Sequence, residues 1–217
     1  MREDDKELAR RRRLAVTPEV LDFYKKNVSG IGGQAGDVAD AVFLTSRAGS
    51  TRFDFTFQES FVRPGIGLNN WTTRNNYPAC GVVQTGSEEM SFYVQRNYSQ
   101  KTAHLQRMTM RLDGFASAYA PYAGGEMRTR VLTFSGHQLE INYSTSAAGS
   151  IQIEVQSPSG EPLPGFTLNE CSEIYGDHIE RTVVWKTGSN VSQFAGKPVR
   201  LRFVMKDADL YSFRFRE

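Results

Sequence analysis

The last twenty residues of the chain, 198–217, alternate apolar and polar side chains and constrain the fold more than any other segment. The apolar positions are Val199, Leu201, Phe203 and Met205. A repeat of two residues is typical of a strand with one buried face. Residues 206–209 then predict a turn, and residues 210–216 predict a second strand. The chain is therefore expected to end in a β-hairpin.

Similar short apolar stretches, separated by turn residues, recur from residue 40 onwards. The predicted strands are 41–45, 51–57, 81–83, 90–95, 109–112, 128–133, 139–143, 150–156 and 180–185. Their short lengths and polar turns favour an all-β fold with antiparallel sheets, and the series in the second half favours a β-sandwich or jelly roll. We divide the chain into an N-terminal arm (1–36), a small antiparallel sheet (37–104) and a C-terminal β-sandwich (105–217).

The N-terminal arm has the one helical pattern in the sequence. Thr17 is a suitable N-cap, Pro18 fits the first helical position, and apolar residues recur at helical spacing as far as Val28. The glycine-rich residues 30–36 then predict a flexible linker. A phosphate-binding loop is the alternative, but no lysine follows these glycines at P-loop spacing.

The charge balance gives the chain no global attraction for polyanions. With 26 basic and 24 acidic residues the net charge is +2, so neither nucleic acid nor a membrane is expected as a partner. The basic run at 10–13 lies beside acidic residues at helical spacing, which favours a solvated or subunit-contacting helix. No apolar run approaches the ~20 residues that span a bilayer, and residues 1–6 lack a signal-peptide core. As written, the chain is expected to be soluble and cytoplasmic, whereas a start upstream of Met1 would leave its localisation open.

The cysteines, the histidines and one tryptophan favour structural roles. Cys80 and Cys171 lie far apart in sequence and match no metal-binding spacing, so we expect both to be reduced and buried. A disulfide between them is the less favoured alternative. His104 and His137 have no Gly-x-Ser-x-Gly elbow to act with. Trp185 lies in a predicted strand of alternating pattern and is expected in the core.

Several motifs together resemble a family of bacterial proteins. A likeness to the last blade of certain five-bladed propellers is found at residues 61–65, 70–71, 74–78 and 89–94, and a likeness to the β-sandwich after that blade is found at 112–116, 124–126, 143–149 and 206–210. These bacterial proteins are similar to glycoside hydrolase families 32 and 43, and the resemblance covers about residues 38–217. In the turn at 45–53 the family usually has an aspartate where Ala48 stands. The resemblance implies a carbohydrate-related protein.

A complete propeller does not fit into this chain. A blade takes about 40–50 residues and closure takes at least four blades, so residues 1–105 supply about two. The acidic residues that act in the resembling enzymes lie mostly in upstream blades, and none is transferred to this chain. We therefore expect a non-catalytic, carbohydrate-associated module without a cofactor. The open sheet edges of an incomplete propeller also favour a homo-oligomer, and a structural assembly domain is a further alternative.

The segment around Trp71 is the best candidate for carbohydrate binding. Arg74, Asn75, Asn76 and Tyr77 follow it closely. An aromatic ring stacks on the apolar face of a sugar, while amide and guanidinium groups hydrogen-bond its hydroxyl groups. In the structural alternative, Trp71 and Tyr77 close a small core and Arg74 pairs with a carboxylate.

A glycoside hydrolase is the alternative function. Such hydrolysis takes two carboxylates, about 5–5.5 Å apart in retaining enzymes and about 6.5–9.5 Å apart in inverting enzymes. Asp54 and Glu59 are the candidates, in a site completed by a neighbouring subunit. Asp177, His178 and Glu180 match no strong metal motif, so a polar loop rim is favoured there and no metal is expected.

Overall fold

The computed structural model describes Pro18, Asp22, Lys26, residues 39–71 and residues 75–217. The chain divides into two compact units, residues 1–109 and residues 110–217, which we call the N-terminal and C-terminal units. Most of the predicted helix at 17–28, the linker at 30–36 and the basic run at 10–13 lie outside the described residues. These three features stay predictions, as does the three-part division of the chain.

The N-terminal unit consists of short antiparallel pairings. Its strands are β1 (Ala41–Val42), β2 (Thr45–Ser46), β3 (Phe53–Asp54), β4 (Ser60–Val62), β5 (Val83–Gln84), β6 (Glu89–Arg96) and β7 (His104–Arg111). β1 pairs with β4, β2 pairs with β3, and β5, β6 and β7 form a three-stranded sheet in that order. The strand predicted at 41–45 is divided between β1 and β2, which pair with different strands, and the strand predicted at 51–57 is reduced to the two residues of β3.

Strand β6 is the best packed strand of the N-terminal unit. Met90, Phe92 and Val94 alternate along it and are buried, together with Val62 of β4. This alternation confirms the strand predicted at 90–95. The residue after Val94 on the same face of the strand is Arg96, which is also buried.

The C-terminal unit is one curled antiparallel sheet that resembles half a barrel. Its strands are β8 (Ala118–Ala120), β9 (Gly125–Arg128), β10 (Gln138–Gln156), β11 (Asp177–Thr182) and β12 (Arg200–Arg216). They lie in the order β11, β10, β12, β8, and β9 also pairs with β12. The expectation of an all-β fold with antiparallel sheets is confirmed.

The predicted terminal β-hairpin is wrong, because β12 is a single strand. It pairs with β10 from Arg216 opposite Gln138 to Arg200 opposite Gln156. Lys206 pairs with Ser150 and Ala208 pairs with Thr145, so the bulge consists of Asp207, which has a φ of +44°, and of residues 146–149 of β10. Residues 206–209 therefore do not form a turn. After the bulge the same face of β12 returns to the core, and the strands predicted at 139–143 and 150–156 join into β10.

One face of this sheet forms the core. Its buried apolar residues on the two long strands are Leu139, Ile141, Tyr143, Ile151, Ile153, Val155, Leu201, Phe203, Met205, Ala208 and Leu210. Trp185 packs against them with its ring centroid 5.2 Å from that of Phe166, and its indole N–H donates to the Ile153 carbonyl at 2.9 Å. The prediction that Trp185 belongs to the core is confirmed.

Both cysteines are free thiols, as expected, but they differ in environment. Cys171 is buried in the core of the C-terminal unit, and burial raises its pKa to about 11. Cys80 is exposed, so the expectation that both are buried is wrong for this residue. Its neighbours on the loop before β5 are exposed as well, so this loop is not part of the core.

In the part of the chain that the structure describes, no helix has the length and apolar character needed to cross a bilayer.

We predict that Trp185→Ala lowers the free energy of unfolding of the C-terminal unit by about 3–5 kcal/mol, because it leaves a large cavity in the core. Chemical denaturation followed by far-UV circular dichroism measures this loss. Val184→Ala, at the exposed neighbouring position, is the matched control and is expected to stay within about 0.5 kcal/mol of the wild type. A loss below about 1 kcal/mol for Trp185→Ala would contradict its placement.

We also predict that iodoacetamide alkylates Cys80 in the native protein while Cys171 stays unmodified. The reactive species is the thiolate, and Cys171 is both buried and poorly ionised at neutral pH. Peptide mass spectrometry after timed labelling distinguishes the two sites, and labelling in denaturant provides the control in which both react. Equal alkylation rates of the two thiols in the native protein would show that Cys171 is accessible.

Candidate functional site

Trp71 lies on a loop whose conformation is held by hydrogen bonds and by two glycines with positive φ. A short 3₁₀ turn, Leu68–Asn70, precedes it, and its indole N–H donates to the Gly65 carbonyl at 2.8 Å. Gly65 and Gly67 have φ values of +85° and +94°, which side-chain-bearing residues rarely adopt. The indole is 48% exposed. Its orientation is therefore set by the loop while about half of its surface faces solvent.

Asn75 holds this loop from the inside. It is 0% exposed, its side-chain amide donates to the Asn69 carbonyl at 2.9 Å, and its carbonyl oxygen accepts the backbone N–H of Tyr98 at 2.6 Å. The 3₁₀ turn before Trp71 is thus tied to the end of β6. The sequence-based prediction gave Asn75 a role toward a sugar, but the structure turns its amide inward.

Asn76 is the second buried amide of the loop, also 0% exposed. It donates to the Ala39 carbonyl at 2.7 Å, and its oxygen accepts a hydrogen bond from the Arg96 guanidinium. Its φ of +64° lies in the left-handed region, where asparagine is among the best tolerated residues after glycine. Both amides are therefore occupied by protein groups and shape the loop.

Arg96 is the central donor of this network and was not identified from the sequence. Besides Asn76, its guanidinium donates to the Gln106 side-chain oxygen at 2.8 Å and to the carbonyls of Arg63 and Pro64 at 3.3 Å. Burial lowers the pKa of this guanidinium. The sequence feature that could have identified Arg96 is its position two residues after Val94, since alternate residues of β6 share its buried face.

Tyr77 is the second exposed aromatic residue of the site, with 51% of its surface accessible. Its backbone runs beside β6: the Gln95 N–H donates to the Tyr77 carbonyl at 3.0 Å, and Pro78 forms a bridge with Val94. Arg74 falls within 72–74, outside the described residues. The structure thus presents Trp71 and Tyr77 to solvent, and carbohydrate binding by this segment stays a prediction.

The two candidate carboxylates differ in their surroundings. Asp54 lines a cavity of about 540 Å³ and accepts a hydrogen bond from the Thr56 hydroxyl at 2.6 Å. The residues around this cavity are Thr45, Ser46, Arg47, Ser50, Arg52, Phe53, Asp54 and Phe55. Glu59 is exposed and is not part of that lining. Among the described residues the lining of this cavity therefore includes one carboxylate, whereas glycoside hydrolysis ordinarily uses two.

The acidic residues around His178 are engaged with arginines. Asp177 pairs with Arg111 at 2.8 Å, and Glu180 pairs with Arg214 at 2.6 Å. The hydrogen bond from Arg214 holds the pKa of Glu180 below its usual value. Among the described residues, no group of three or more histidine, cysteine, aspartate and glutamate side chains is arranged to hold a metal ion.

Comparison with protein-family models, curated proteins and solved structures found no match to this chain.

We predict that Asn76→Ala destabilises the N-terminal unit by about 2–4 kcal/mol. The substitution removes the side-chain acceptor of a buried guanidinium and places alanine at a φ of +64°. Differential scanning calorimetry of the whole chain measures the effect. The control is Gln84→Ala, which removes an exposed amide that donates to the nearby Gly86 carbonyl, and it is expected to have little effect. Equal stability of the two variants would show that the network does not hold the loop.

Proposed function

We propose that the protein is a non-catalytic, carbohydrate-binding module in which Trp71 and Tyr77 contact the sugar. One observation carries the proposal: the Trp71 indole is fixed by its bond to Gly65 while 48% of it is exposed. A rigid aromatic ring offers a large stacking surface and loses little conformational entropy on binding. An indole needed only for the core would be expected to be covered.

The buried network below the loop supports this proposal. Asn75, Asn76 and Arg96 tie the loop to β6 through bonds that face the interior. Such bonds fix the loop backbone that carries the two exposed rings before any ligand arrives, which lowers the entropic cost of binding. Hydrogen bonds to sugar hydroxyls would come from Arg74.

The resemblance described above gives the proposal its ligand class and its finer fold. We propose that the short sheets of the N-terminal unit correspond to a partial propeller, and that the C-terminal unit corresponds to a jelly-roll-like sandwich. The short helix predicted at 17–28 belongs to the same proposal. The antiparallel strands of both units support this reading.

Two alternatives each have one observation in their favour. A hydrolase completed by a neighbouring subunit is favoured by Asp54, which lines the cavity of about 540 Å³. A structural module that forms homo-oligomers is favoured by apolar side chains exposed on the N-terminal unit, such as Phe53, Phe55 and Ile66. The binding module is preferred because the described lining of the cavity includes one carboxylate and the Trp71 loop is pre-organised.

We predict that Trp71→Ala weakens binding of the protein to a soluble polysaccharide by about tenfold or more, because it removes the main stacking surface. Affinity electrophoresis in gels that contain inulin, arabinoxylan or galactomannan measures the change. Leu105→Ala, which truncates another exposed apolar side chain, is the control and is expected to bind like the wild type.

The same preparations distinguish the alternatives. Release of reducing sugar by the wild type that is lost in Asp54→Asn would contradict the non-catalytic proposal and support the hydrolase. Absence of retardation in all three gels, together with concentration-dependent sedimentation, would support the structural alternative.

A further inference from the structure

The polar face of the C-terminal sheet has an exposed aromatic residue in its edge strand. Tyr119 of β8 lies between Ala118 and Ala120, which both pack against the core, so its side chain is on the opposite face. It is 63% exposed. Its partner in the register is Asp209 of β12, so the ring and the carboxylate are neighbours on this face.

A second exposed tyrosine follows in the turn after β8. Tyr122, also 63% exposed, has the Lys206 ammonium 4.3 Å from its ring centroid. Lys206 follows the buried Met205 on β12, so its side chain is on the polar face. We call the set Tyr119, Tyr122, Lys206 and Asp209 the tyrosine patch.

The backbone under the tyrosine patch is held in place. The turn that contains Tyr122 is closed by the Gly124 N–H, which donates to the Pro121 carbonyl at 2.8 Å. The same carbonyl accepts the Asp207 N–H of β12 at 3.1 Å. Gly124 has a φ of +90°, and a Cβ on Gly125 would lie 3.2 Å from that of Ala120. The turn that carries Tyr122 is therefore packed closely on the sheet, next to β8, which carries Tyr119.

Polar groups extend from the patch across the sheet. The Ser117 hydroxyl donates to the Asp209 carboxylate at 2.5 Å, and Asp209 lies opposite Ser144 of β10, which lies opposite Asp177 of β11. Hydroxyl and carboxylate groups thus form a row that begins at the Tyr119 ring. Such a row offers donors and acceptors at the spacing of adjacent strands, about 5 Å.

We propose that the tyrosine patch is a second carbohydrate-binding site, one that takes a neutral oligosaccharide. The two rings supply stacking surfaces, Asp209 accepts hydrogen bonds from sugar hydroxyls, and Lys206 donates to them. One cation and one anion cancel, so the patch has no net charge that would favour a charged polymer. The site lies in the C-terminal unit and does not depend on the Trp71 loop.

Titration calorimetry of the full chain tests the patch. The probes are cellohexaose, xylohexaose, mannohexaose and inulin-derived oligosaccharides. The variant Tyr119→Ala/Tyr122→Ala is expected to bind at least one probe about tenfold more weakly than the wild type, whereas Tyr119→Phe/Tyr122→Phe keeps the rings and the affinity. Tyr175→Ala is the matched control, since Tyr175 is 69% exposed and precedes β11 at the opposite edge of the sheet.

Trp71→Ala, titrated in parallel, separates this inference from the proposed function. Weaker binding in the alanine double variant with unchanged binding in Trp71→Ala supports the patch and contradicts the Trp71 site. Weaker binding in Trp71→Ala with unchanged binding in the alanine double variant overturns the patch alone. Weaker binding in both variants supports both sites. Absence of heat with every probe overturns both. Wild-type self-association that disappears in the alanine double variant overturns the patch as a sugar site and makes it a subunit interface.

Discussion

The antiparallel pairing of β10 with β12 is the interaction on which the C-terminal unit depends. Fifteen residue pairs join the two strands, and they place apolar side chains on one face and charged side chains on the other. Two buried carboxylates, Glu140 and Glu154, lie opposite Arg214 and Arg202 in this register. A slip of one residue would expose the core face and leave both carboxylates without their arginines, which is costly for buried charges. The register is thus specified by both faces of the sheet.

A network of polar side chains holds the segments of the N-terminal unit together. Its strands are short, so few ladder hydrogen bonds hold the segments between them. The buried guanidinium of Arg96 compensates for the few ladder bonds by donating to groups from three segments. Asn75 and Asn76 are the other buried side chains of this network. Both units therefore present exposed aromatic side chains on backbones that buried polar or packed contacts hold in place. In a binding protein this arrangement reduces the entropy lost when a ligand is bound.

Strand positions were predictable from the sequence where apolar and polar residues alternate over a long segment and one face is apolar, as along residues 199–205. The hairpin prediction failed at Asp207 because a bulge and a turn have the same local signature, and only the long partner β10 decides between them. The burial of Trp185 followed from its strand pattern. The inward orientation of Asn75 and Asn76 did not, because it depends on partners that are distant in the chain, Tyr98 for Asn75 and Arg96 for Asn76. The alternation along β6 indicates that Arg96 faces inward, but it does not indicate which distant groups the guanidinium bonds to.

In the proposed function, exposed aromatic side chains on backbone segments that buried contacts hold in place bind a carbohydrate without chemical change to it. Hydrogen–deuterium exchange of the whole chain, with and without a saturating oligosaccharide, tests this feature most directly. The expected result is slow exchange along β10 and β12 in both states, added protection at residues 63–78 or 117–124 when the sugar is bound, and recovery of the sugar intact. Protection confined to other segments, or recovery of a cleaved sugar, would contradict it.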